Sequence, residues 1–147
     1  MSGDRTPQEI AEMAARAMWA SDHASQGLGI EIVSVGPGVA ILSMMVGETM
    51  VNGHGLAHGG FIFSLADSAF AFACNSYGET TVAAHCAITF IKPGRRGDRL
   101  VAAAREISRS GRSGIYDVSV GREGEILAEF RGHSRTVGGS FIEGKAP

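Results

Sequence analysis

The stretch "HGGFIFSLADSAFAFACN", residues 58–75, decides how this chain folds. From Phe61 to Cys74 its fourteen residues are apolar or small, apart from a single charge, Asp67. Crossing a bilayer takes roughly 20 apolar residues, so a run this short reads as a buried core helix. A helix that is apolar all round must be covered all round. In one small domain a sheet covers only part of that surface, so the remaining face is expected to meet a second subunit across a two-fold axis. Asp67 then has two readings. It is a carboxylate satisfied by Ser64, Ser68 or a backbone donor, or it is a general base or nucleophile, since desolvation raises a carboxyl's proton affinity and perturbed carboxylates concentrate at reacting sites.

The start of the helix bears on that choice. Free N–H groups near Gly59 and Gly60, with the helix dipole behind them, favour a developing negative charge, and glycine lets a ligand approach the backbone closely. Such a donor aimed at a carbonyl oxygen is an oxyanion hole. Gly59 and Asp67 are separated by about 12 Å along a helix, and reacting atoms must come within about 3–3.5 Å. Two antiparallel helices across a dimer axis would remove the difficulty by setting Asp67 of one chain against Gly59 of the other.

Outward from this segment the pattern is orderly. "TPQEIAEMAARAMWASD" predicts a helix over 7–22, with Thr6 and Glu9 as a capping box, Pro7 at the first position, and Ile10, Met13, Ala14, Ala17 and Met18 on one stripe. "LGIEIVSV" and "VAILSMMV" read as strands joined by Gly36-Pro37-Gly38, followed by the glycine-rich loop "GETMVNGHGLAHGG". Strand-like runs follow over 80–91, 99–108, 114–121 and 125–137, and residues 138–147 read as a loose tail. The order predicts an α+β fold, one antiparallel sheet with its helices on one face. A single domain is expected over 1–147, with a core at about 27–137.

The composition is 44% apolar and 19% charged with a net charge of −2, which argues against general nucleic-acid binding. Glycine, at 21 residues, is about twice its usual share and marks turns. Cys74 and Cys86 read as reduced buried thiols. With no signal pattern at the N-terminus and no span long enough for a membrane, a cytoplasmic protein is expected.

"NGHGLAHGGFIFSLADSAFAFACN" resembles the signature of the hotdog-fold acyl-CoA thioesterases, in particular the phenylacetate-degradation (PaaI-type) branch. The matching residues are Asn52, His58-Gly59-Gly60 and Asp67, and "TFIKPGRRGD", "SGRSGIYDVSV" and "FRGHSR" resemble the strands that follow. The resemblance covers roughly residues 27–137. It implies a long central helix wrapped by an antiparallel sheet, pairing into homodimers and commonly homotetramers. It also implies hydrolysis of an acyl-CoA thioester, aromatic or medium-sized, without a further cofactor. Carried over, Asp67 activates water or attacks the carbonyl. The Gly59 N–H polarises the thioester oxygen, with Gly60 as second choice, and Asn52 and His58 position substrate or water. Relatives often place a hydroxyl residue on the strand after the helix. "TVAAHCAITF" instead offers Ala83, Ala84 and His85, with His85 as the residue to face the pocket.

Between Lys92 and Arg112 there are seven basic residues, which form either a solvated edge or a phosphate-binding rim. Lys92, Arg95, Arg109 and Arg112, in or beside turns, are the candidates for the nucleotide end of coenzyme A. His54 and His58 are four apart, but the glycines around them disfavour a helix and no third ligand is evident, so no metal is expected. Two alternatives remain open. One is an enoyl-CoA hydratase or dehydratase on the same fold using His58 with Asp67. The other is a non-catalytic acyl-CoA-binding module.

Overall fold

The computed structural model of the chain describes residues 4–142. Helices α1 (Pro7–Trp19) and α2 (His23–Gly27) precede strands β1 (Glu31–Gly36) and β2 (Val39–Met45). After a single 3-10 turn at Glu48–Met50 come α3 (Gly59–Cys74), β3 (Glu79–Phe90), β4 (Arg99–Ser110), β5 (Ser113–Arg122) and β6 (Glu125–Ser140). The strands form one antiparallel sheet in the order β1-β2-β4-β5-β6-β3. β1 and β3 are therefore its two edges.

Alternation along the strands builds the core. Registered across the sheet, Ala40, Ala104, Val118, Phe130 and Ile88 form one row, and Leu42, Ala102, Val120, Ala128 and Phe90 form the next. The alanines let α3 lie close to the sheet, where Leu65, Ala66, Ala69, Phe70, Phe72 and Ala73 are buried. Phe70 packs its ring against Tyr116 and Phe130 and lies directly over Gly132 of β6. That contact explains a glycine in mid-strand. A methyl group at Gly132 would sit 2.7 Å from the ring atoms of Phe70. Phe70 is itself fully enclosed, so Gly132→Ala is expected to cost about 1–3 kcal/mol. Urea unfolding should show a lower midpoint with an unchanged m-value.

Several boundaries depart from expectation. The capping box forms, with the Glu9 N–H donating to Thr6 Oγ1 at 3.1 Å and the Thr6 N–H to Glu9 Oε1 at 2.9 Å. The helix nevertheless ends at Trp19 rather than 22, and α2 follows as a separate turn capped by Asp22. The buried stripe of α1 is Ala11, Ala14 and Ala15, where small side chains allow a close approach, while Ala17 falls on the exposed side of the helix. β6 continues to Ser140, into the segment expected to be a tail, and residues 143–147 of that segment lie outside the described residues. Nor is α3 apolar all round. Ser64, Asp67, Ser68 and Ala71 fall on one incompletely covered face, with Gly60 exposed at its start.

Candidate active site

The N-terminus of α3 is set by the loop before it. Asn52 Oδ1 accepts the N–H groups of His54 (2.9 Å) and Leu56 (3.2 Å), which closes the loop. The His58 N–H donates to the Met50 carbonyl at 2.7 Å, which seats the helix start. His58 is the N-cap, and its Nδ1 accepts the Gly60 N–H at 3.0 Å. In the neutral ring the proton is then on Nε2. Of the two donors expected at this helix end, Gly60 is thus engaged within the chain. Gly59 N–H has no acceptor among the described residues. Phe90 closes over Gly59, with its ring 2.9 Å from where a Cβ would stand.

Asp67 lies half-buried on the uncovered face of α3. Neither serine that was expected to satisfy it does so. Ser64 Oγ donates to the Gly60 carbonyl at 2.9 Å, and Ser68 Oγ is 2.7 Å from Ser25 Oγ. No hydrogen bond reaches the Asp67 carboxylate among the described residues. Burial raises its proton affinity above the ordinary carboxylate range, and the charge of Asp22 adds to the effect. The site therefore presents a free donor at a helix N-terminus and a desolvated, unpartnered carboxylate on the same helix, about 12 Å further along.

Residues 54–129 match the family model of the thioesterase superfamily. The chain belongs to that family. It is 44% identical over 133 residues to the acyl-coenzyme A thioesterase PaaI of Escherichia coli K12, covering 90% of this chain and 94% of the other. The solved structure of the E. coli PaaI protein from the phenylacetic acid degradation operon superposes with a TM-score of 0.90 at 41% identity, covering 92% of this chain and 99% of that one. The protein smu.793 of Streptococcus mutans UA159, solved bound to acetyl CoA, gives a TM-score of 0.73 at 27% identity over 76% of this chain and 90% of that one. The expected hotdog fold and the expected class of enzyme, a thioesterase, are both borne out.

Elsewhere in this thioesterase the expected rim is divided. Lys92 pairs with Glu125 at 2.7 Å, and Glu125 also holds Arg122. The Arg95 N–H donates to Asp98 at 2.8 Å, and Arg95 bridges to Leu56 next to the α3 entry. Arg109 lies at the opposite end of the sheet, with its guanidinium carbon 3.5 Å from the centre of the Tyr77 ring and Glu106 at 3.8 Å. Arg112 shares a hollow of about 220 Å³ with Arg109, Glu79 and Thr136. Within one chain the four cations form two pairs, one near each end of the twelve-residue β3 and so roughly 30 Å apart.

His85 requires correction. It pairs with His133 of β6, and the two exposed rings meet edge to face at 5.5 Å. They stand on the outer face of the sheet, while Cys86 and Ile88 turn toward α3. A β-bulge between Ala83 and His85 shifts the alternation by one residue. His85 therefore faces away from the helix that carries Asp67.

The sequence reading missed Asp22 and Ser25, which the fold brings up against Ser68. A groove of the chain also lies elsewhere. It holds about 780 Å³ between α1 and β1, and none of the expected site residues lines it. No helix among the described residues is long and apolar enough to cross a membrane. No cluster of three or more metal-ligating side chains occurs among them.

Proposed function

We propose that this thioesterase hydrolyses acyl-CoA thioesters, with Asp67 as general base or nucleophile and the Gly59 N–H as the oxyanion donor. The observation that carries the reading is the half-buried Asp67 carboxylate without a hydrogen-bond partner among the described residues. A desolvated carboxylate can take a proton from water as that water attacks the thioester carbonyl. The carbonyl oxygen becomes an oxyanion held by Gly59 N–H, and collapse of the tetrahedral species expels the coenzyme A thiolate. Direct attack by Asp67 would reach the same products through an anhydride. Neither route needs a further cofactor. The names of the E. coli and S. mutans relatives support a coenzyme A ester, and the operon of the former supports a phenylacetyl-type acyl group.

The distance between donor and carboxylate calls for a second chain. α3 runs antiparallel to β3, since Gly59 meets Phe90 at one end and Asn75 bonds Thr81 at the other. β3 is a free edge with exposed Phe90 (51%) and Ile91 (52%). For Asp67 of one chain to face Gly59 of the other, the two-fold axis must pass abreast of residue 63, midway between them. On β3 that level lies toward Phe90, the end that exposes Phe90 and Ile91. Such a homodimer is the minimal active unit in this reading, and a homotetramer would be a pair of dimers. The same operation carries the Arg109–Arg112 pair of one chain toward the Gly59 end of the other, where coenzyme A phosphates could meet both cation pairs.

A hydratase reading would need His58 as a partner for Asp67, but its Nδ1 is occupied by the Gly60 cap. The deciding experiment is thiol release from a panel of aromatic and aliphatic acyl-CoAs. Turnover is expected, with phenylacetyl-type or medium-chain esters preferred. No thiol release from any ester, with water added to an enoyl-CoA instead, would establish the hydratase.

A further inference from the structure

Asp67 shares its half-covered face with Ser68, and Ser68 is tied to the N-terminal segment. Ser25 is buried, 2% exposed. Its N–H donates to Asp22 Oδ1 at 3.0 Å and its hydroxyl to Asp22 Oδ2 at 2.7 Å. A carboxylate only accepts, so Ser25 spends its proton on Asp22, and the 2.7 Å contact between the two serines must be a donation from Ser68. The bonds therefore run one way, from Ser68 through Ser25 to Asp22. α2 has only five residues and could not persist alone, so this chain of bonds holds it on α3, next to the Trp19–Phe72 ring contact that seats the end of α1.

We propose that Asp22, acting through Ser25 and Ser68, is a positioning residue for Asp67, fixing α2 against the face of α3 that carries the reacting carboxylate and holding a second carboxylate beside it. This rests on the reading of Asp67 given above. The charge that bears on Asp67 is that of Asp22 at the start of α2, and the charge of Asp67 in turn raises the thiols of Cys86 on β3 and Cys74 on α3 itself. Both thiols are held neutral, since burial pushes Cys74 up to about 12 and raises Cys86 as well. Asp22 is thus the charged neighbour. After burial, it is the second cause that lifts the proton affinity of Asp67, which makes Asp67 the stronger base toward water. The device combines placement with tuning, and the acid at its far end touches no substrate.

The test is the pH–rate profile of the intact protein carrying Asp22→Asn, Ser68→Ala or Ser68→Thr, beside Asp67→Asn. Asparagine keeps an oxygen for the Ser25 N–H, so the cap of α2 survives while the charge goes. With that charge removed, Asp67 holds its proton less tightly and stays ionised to lower pH. The acid limb of kcat/KM should therefore move to lower pH, with kcat down about 3- to 10-fold and KM nearly unchanged. Ser68→Ala should lower kcat by about tenfold, and Ser68→Thr, which keeps the hydroxyl, should restore it. An acid limb and kcat unmoved in Asp22→Asn, while Asp67→Asn is inactive, would overturn the positioning role alone. Near-normal turnover in Asp67→Asn would overturn the reading of Asp67 and this inference with it. Should Asp22→Asn fail to fold, the contrast between Ser68→Ala and Ser68→Thr decides, and equal rates in the two would refute the proposal.

Discussion

Asp67→Asn is expected to lower thioester turnover by at least about 100-fold, the reach of acid–base catalysis, and at the same time to raise the melting temperature at neutral pH. The two effects have one cause. Burial and Asp22 raise the proton affinity of Asp67 in the folded chain. Above its folded pKa, the protein carries a partly desolvated charge that the unfolded chain would hold in water. For a carboxyl shifted upward, that cost is fully present above the folded value. It disappears as the pH falls through the folded value toward the unfolded one, where both states are protonated. Asparagine removes the charge and keeps the shape, so the variant should be the more stable protein at pH 7, with the difference closing under acid conditions. For a chain of this size about 1 kcal/mol corresponds to roughly 2–4 °C, which calorimetry resolves readily. An inactive variant that was also less stable at pH 7 would make Asp67 a structural acid. Near-normal turnover in a folded variant would remove it from the chemistry altogether.

What the sequence made legible follows from how local each signal is. α3 announces itself because fourteen apolar or small residues with one charge leave few alternatives, and its start falls at Gly59 because His58 caps it. The Thr6–Glu9 box is a contact across three residues and is read directly. The bulge before His85 is different. One extra residue in a strand leaves composition unchanged and reverses the face of everything beyond it, so His85 is placed outward by pairing with His133. α2 is too short to show a period, and only the spacing of Asp22 and Ser25, an N-cap and its N3 residue, could have pointed to it. The division of Lys92 and Arg95 from Arg109 and Arg112 follows from β4, whose twelve residues carry the chain from one end of the sheet to the other, so the strand expected over 99–108 already implied it. The exposed stripe on α3 was hidden for a further reason. Serine, alanine and glycine read as small, and only their alignment with Asp67 turns them into a face.

Mixing two inactive variants should restore activity if the reacting groups come from different chains. Asp67→Asn removes the carboxylate. Gly59→Val places a branched side chain at the oxyanion donor, and the ring it meets, Phe90, is half exposed and free to yield, so the chain should still fold. In a homodimer of either variant both sites are defective. In a mixed dimer one site takes Asp67 from the Gly59→Val chain and Gly59 from the Asp67→Asn chain, and so is intact, while the other site carries both lesions. Random reassortment of equal amounts makes half of the dimers mixed, each with one good site. Recovery should approach about a quarter of wild-type turnover, from a starting point at least about 100-fold below it. Dilution below the dimer dissociation constant should abolish the gain. If both groups belonged to one chain, every site in the mixture would carry one lesion, and reassortment would recover nothing. That null result would require a substrate path spanning some 12 Å of a single helix, which the geometry of bond formation forbids. Failure to complement would therefore exclude the Gly59 donor as well as the shared site, and would leave Asp67 to act with a different oxyanion group.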